Sequence, residues 1–212
     1  MSEGRRFHKP AMLDPVVADQ LPGGLDPATQ AELAHSTAQA LIARARDEAP
    51  DDPALVERLL ALVEAEGVET LATLWAMAPP DSLPGALWRV YMLREWVERD
   101  PLTVADRYKL GVGREQVAEV VAGAQQPPGP DEMRQLADAV LSGMFTGELD
   151  VALERAAAFA RILSTGSALD ADWLELDRPA EAQAVTRRAS GLLHTAEALE
   201  AAAAGWRKGR LE

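Results

Sequence analysis

An aspartate stands directly before a proline at Asp26-Pro27, Asp52-Pro53 and Asp100-Pro101. Each pair is suited to start a helix. The aspartate oxygen accepts from backbone N–H groups that have no intrahelical partner. Proline lacks the N–H that would be left over in the first turn, and its φ is already helical. Three such starts, followed by apolar residues at a period near 3.6, commit much of the chain to helices. Aromatic residues make up 5% of the chain and alanine is abundant, a balance that favours helices packed through small residues over strands.

The expected fold is all-α: a multihelical domain of about eight or nine helices with a C-terminal antiparallel, heptad-patterned helix pair. Residues 1–25 read as a flexible arm, interrupted by Pro10, Pro15, Pro22, Gly23 and Gly24. A single all-α domain follows over 26–212, with 26–125 and 130–212 as candidate subdomains. Helices are expected at about 27–47, 53–65, 84–99, 101–110, 114–123 and 131–141. A further short helix carries Val68, Leu71, Leu74 and Trp75 and ends at Pro79-Pro80. Gly67 is placed to give the helix at 53–65 a left-handed C-cap.

The two C-terminal helices carry a different period. Leu149, Leu153, Ala156, Ala160 and Leu163 are spaced 4, 3, 4, 3. Ala182, Val185, Ala189, Leu192, Ala196, Leu199, Ala203 and Trp206 alternate steps of 3 and 4. This is a heptad seam, and its alternate alanines permit close helix approach. A linker over 164–178, acidic through Asp170, Asp172, Glu175 and Asp177, leaves room for an antiparallel return. The seam closes either within one chain or between two copies of it.

Composition excludes several classes of chemistry. The chain has no cysteine, so disulfides, thiolate nucleophiles and Cys-ligated zinc are ruled out. No stretch reaches membrane-spanning length and no signal-peptide core is present, which makes a reducing cytoplasm the expected address. Lysine occurs only at Lys9, Lys109 and Lys208, a bias toward arginine that points to a GC-rich bacterial genome. The formal charge of -13 argues against broad nucleic-acid binding, though not against a local basic patch.

No catalytic set can be assembled. The histidines, His8, His35 and His194, form no His-x-x-x-His pair. Glu32 and His35 have the spacing of half a di-iron site, but the chain offers no second Glu-x-x-His. No nucleophile elbow, phosphate loop or dinucleotide fingerprint is present. The acidic clusters at 47–52 and 64–69 flank helix ends, where solvated carboxylates support the first turn. The expectation is a protein without enzymatic activity, cofactor or metal.

Two segments are candidates for recognition. Trp88, Met92 and Trp96 share one helical face, on a helix that also carries Arg89, Arg94, Glu95 and Arg99. Aromatic and arginine side chains are what protein interfaces favour. The same stripe also suits a core face, with Trp75 placed to pack against it. Together with Leu192, Leu199 and Trp206 of the heptad seam, Trp88, Met92 and Trp96 form the candidate interaction set. The expected partner is another protein or a second copy of the chain.

The second segment, 103–123, reads Thr-Val-Ala-Asp-Arg-Tyr-Lys-Leu-Gly-Val-Gly-Arg-Glu-Gln-Val-Ala-Glu-Val-Val-Ala-Gly. It resembles a bacterial helix-turn-helix of the LacI type. The resemblance implies a turn at Leu110-Gly111-Val112, with a left-handed glycine and Val112 tucked beneath it. Val117 and Val120 would hold the second helix on the core. The implied DNA contacts are Arg107, Lys109, Arg114 and Gln116. Arg107 occupies the position four before the turn glycine, which the family fills with a small residue. The functional expectation is therefore a regulatory or adaptor protein acting through helical surfaces, with a DNA-binding regulator as the alternative.

Overall fold

The structure, a computed structural model, describes residues 26–45, 58, 61, 67–114, 127–143, 145 and 147–211. Among the described residues it is all-helical. Seven helices follow in order: α1 Pro27–Ala45, α2 Val68–Trp75, α3 Leu83–Arg99, α4 Pro101–Val112, α5 Pro130–Leu141, α6 Leu149–Leu174 and α7 Pro179–Arg207. Apart from residues 58, 61 and 114, the helices expected at 53–65 and 114–123 lie outside the described residues. No described helix is long and apolar enough to cross a membrane.

Local chemistry explains the starts. The Asp26 carboxylate accepts from Thr29 N at 3.4 Å, and Asp100 accepts from Thr103 N at 3.4 Å. Both caps precede a proline, as the Asp-Pro pairs predict. Ser82 does the same for α3, accepting from Gly85 N while its hydroxyl donates to Pro79 O at 2.7 Å. At the start of α5, the Glu132 carboxylate accepts from Gly129 N at 2.9 Å. Gly67 has φ 85° and ψ 167°, outside the left-handed helical region, and immediately precedes α2; apart from residues 58 and 61, the helix it was expected to cap lies outside the described residues.

One apolar core draws on all seven helices, including Ala34, Leu71, Leu87, Val104, Met133, Leu153 and Leu199. Helix α3 touches each of the other six. Trp75 is completely buried, and its indole N–H donates to Thr37 Oγ1 at 3.0 Å. The Thr37 hydroxyl in turn donates to Ala34 O, so both buried polar groups are satisfied.

Helices α6 and α7 run antiparallel. Ser164 donates to Ala189 O at 2.7 Å, Arg161 grips the Glu200 carboxylate at 2.6 and 2.7 Å, and Arg207 reaches back to Asp150 and Glu154. Every seam position from Ala182 to Ala203 is buried, as are Leu149, Leu153, Ala156, Ala160 and Leu163 of α6. Contacts within the chain bury these positions.

The linker expected at 164–178 is corrected. α6 stays helical through Ser164, Thr165, Gly166 and Ser167 to Leu174, leaving only 175–178 to turn the chain. Polar and glycine residues ordinarily signal a break. Here tertiary contacts override that signal, because α4 lies across this stretch. A Cβ added at Gly166 would collide with the Arg107 carbonyl, and one added at Gly111 would collide with the Ile162 carbonyl. Two helices meet there nearly backbone to backbone.

The same contact corrects the expected turn at 110–112. Helix α4 continues to Val112, and Gly111 is a buried helical residue without a positive φ. Val112 is 43% exposed rather than tucked beneath a turn. Gly111 is needed for space, not for backbone conformation.

Alanine ordinarily stabilises a helix interior relative to glycine by about 0.5–1 kcal/mol. Gly166→Ala is expected to do the opposite, at a cost of about 1–3 kcal/mol from overpacking. Urea denaturation measures the difference. Wild-type or greater stability would contradict the close crossing.

Candidate functional site

A groove of about 670 Å³ runs between α3 and α7. One wall is α3, through Trp88, Arg89, Met92, Leu93, Glu95, Trp96 and Arg99, with Asp100 at the end. The other is the stretch of α7 carrying Arg188, Gly191, Leu192 and Thr195.

The α3 wall follows from helical spacing. Residues 88, 92 and 96 share a face, while Leu87, Val90, Tyr91, Leu93 and Val97 point into the core. Trp88 and Trp96 are half-buried against that core, and Met92 is 45% exposed. Trp88 stacks on buried Tyr91 with ring centroids 5.6 Å apart. Trp96 is backed by the Arg107 guanidinium, 5.9 Å from its ring centroid, a distance at which cation–π attraction acts. The aromatic floor is thus fixed from behind. The core reading and the surface reading of this stripe each capture part of it.

The electrostatics are uneven. Both carboxylates at the groove are engaged: Glu95 pairs with Arg94 at 3.0 Å and Arg99 at 2.8 Å, and Asp100 caps α4. Arg94 also binds Asp138 of α5. Burial lowers the pKa of Arg94, but Asp138, Glu98 and Glu95 more than offset this and hold it above its usual value. The arginines on the groove side differ. Arg89 donates to Gly85 O at 2.7 Å, and among the described residues neither Arg89 nor Arg188 has a carboxylate partner. Burial alone pushes the Arg89 pKa down from its ordinary value.

Gly191 keeps the α7 wall low. A Cβ built there meets nothing within 4 Å, so the groove opens over bare backbone. The Thr195 hydroxyl donates to Gly191 O at 3.0 Å, which turns it back onto its own helix.

The structure brings Trp88, Met92, Trp96 and Leu192 to one place. It does not bring Leu199 or Trp206 there. Leu199 is fully enclosed between α6 and its neighbours, and Trp206 packs on the core beyond the groove. Sequence reasoning named Arg89 only as a neighbour, and did not single out Arg188, Gly191 or Thr195. Their signal was weak: one glycine in an otherwise strong helical run, next to the seam residue Leu192.

The residues assigned to DNA are separated. Arg107 is 6% exposed and donates to Asp170 through Nε and Nη2 at 3.3 and 3.2 Å, so its expected role as a DNA contact is corrected. The long Arg107 side chain is what reaches Asp170 on α6. Lys109 is exposed beside Asp106, and Arg114 is exposed. Gln116 lies outside the described residues, as do Val117 and Val120. His35 Nδ1 lies 3.1 Å from Ala31 O on its own helix. Among the described residues, no group of three or more histidines and carboxylates is placed to hold a metal ion.

Comparison with models of protein families, with curated proteins and with solved structures finds no match to this chain.

Since Gly191 has free space around it, Gly191→Ala is expected to raise stability by about 0.5–1 kcal/mol, the ordinary helix-interior difference. Thermal unfolding followed by circular dichroism checks this. A loss of stability would mean that the α7 wall is closed.

Proposed function

We propose that this is a non-enzymatic regulatory or adaptor protein that works by receiving a segment of a partner protein in the groove between α3 and α7. The observation that carries the reading is the pairing of an apolar floor, Trp88, Met92 and Trp96, with two arginines, Arg89 and Arg188, that lack carboxylate partners among the described residues. Half-exposed tryptophan beside arginine is the composition of interface hot spots. A preformed surface also lowers the ordering cost of association.

The spacing of buried residues along α6 and α7 supports a supercoiled pair as the rigid support for the α7 wall. The absence of cysteine fits a protein working in the cytoplasm.

The test compares the full-length protein with Gly191→Leu, which places a side chain in the groove from a position with free space. Both are immobilised and exposed to native cell extract, with and without nuclease. The reading predicts a partner retained by the wild type, lost by Gly191→Leu and indifferent to nuclease. Identical retention by both proteins would contradict it. Retention abolished by nuclease would instead implicate nucleic acid, with Lys109 and Arg114 as the exposed cations to examine.

A further inference from the structure

We infer that the occupant of the α3–α7 groove is an acidic amphipathic helix, its apolar stripe on Trp88, Met92 and Trp96 and its flanking carboxylates facing Arg89 and Arg188. This rests on the reading of the groove as a protein-binding site and adds the chemistry of the partner.

Backbone hydrogen bonding selects the conformation. Both walls are helices, whose N–H and C=O groups already bond along their own axes. They offer no free edge to which an extended peptide can add, so a strand laid there would lose backbone hydrogen bonds to water without replacement. A helix brings its own. Trp88 to Asp100 spans about 18 Å at 1.5 Å per residue. That length matches roughly three turns of a third helix, contacting at i, i+3 or i+4, and i+7.

Charge selects the flanks. The chain as a whole carries -13, yet at the groove Arg99 and Glu95 pair with each other and Asp100 caps α4, which leaves Arg89 and Arg188 without a carboxylate partner among the described residues. Arg89 is partly desolvated with only a backbone carbonyl as partner, a cost reflected in its lowered pKa. A carboxylate brought beside it supplies the missing counter-charge. Arg188 is exposed on the opposite wall. Their placement on opposite walls fits a ligand with acid on both flanks of an apolar stripe. At 0.1 M salt, charges more than about 10 Å away are largely screened, so the overall negative charge does not cancel this local preference.

A displayed library of random 14- to 16-residue helical peptides, selected on the full-length protein and counter-selected on Gly191→Leu, tests the inference. The expected winners carry apolar residues at i, i+3 or i+4, and i+7, flanked by Asp or Glu. Their affinity, read by fluorescence anisotropy, is expected to fall about tenfold on Arg188→Glu and to recover when the facing Glu of the peptide is changed to Lys. Winners that need the open groove but are neutral or basic, or that ignore Arg188→Glu, would overturn the acidic-helix inference and leave the protein-binding reading standing. A selection that yields no peptide distinguishing the wild type from Gly191→Leu would overturn both. Arg188 is a surface residue, so its substitution gives a readout that does not depend on how Gly191→Leu folds.

Discussion

The crossing of α4 over α6 at Gly111 and Gly166 sets the positions of the elements around it. Neither glycine can carry a side chain without meeting a backbone carbonyl of the other helix. This closeness places Arg107 within reach of both Asp170 and the back of Trp96. It also holds α6 helical where its sequence suggests a break. A shorter α6 would bring the chain back earlier, and the stretch of α7 that carries Arg188 and Gly191 would lose its partner on α6. The groove thus depends on the close crossing of α4 and α6.

Arg107 shows how such a contact is balanced. It is nearly excluded from water, which is costly for a guanidinium unless it is paired. Asp170 supplies the charge, the face of Trp96 supplies a weaker attraction, and Nη1 has no hydrogen-bond partner among the described residues. The arrangement is one of position more than of net stability. It sets the guanidinium against Trp96, one of the residues of the groove floor.

Much of this architecture could be read from the residues. The Asp-Pro pairs at 26–27 and 100–101 mark real starts because capping is local chemistry that needs no tertiary context. The stripe from Ala182 to Ala203 is buried because its spacing puts those apolar residues on one helical face. What escaped was long-range. Ser164-Thr165-Gly166-Ser167 resembles a linker, and only the presence of α4 makes its glycine an asset within a helix. Gly111 resembles a turn glycine for the same reason: sequence cannot distinguish a glycine needed for φ from one needed for space. Half of the candidate site was legible, since 88, 92 and 96 fall on one face by spacing alone. The other half depends on the antiparallel register that brings Arg188 and Gly191 opposite them, and nothing local to α7 encodes that register.

Site-specific photocrosslinking tests the central claim most directly. The chain has no cysteine, so Met92→Cys carries the sole thiol and accepts a single benzophenone label at the groove floor. Irradiation in native cell extract, followed by mass spectrometry, identifies what sits there. The account predicts crosslinks to one helical segment of one partner protein, abolished when Gly191→Leu is added. Crosslinks scattered over many proteins, or unchanged by Gly191→Leu, would contradict it.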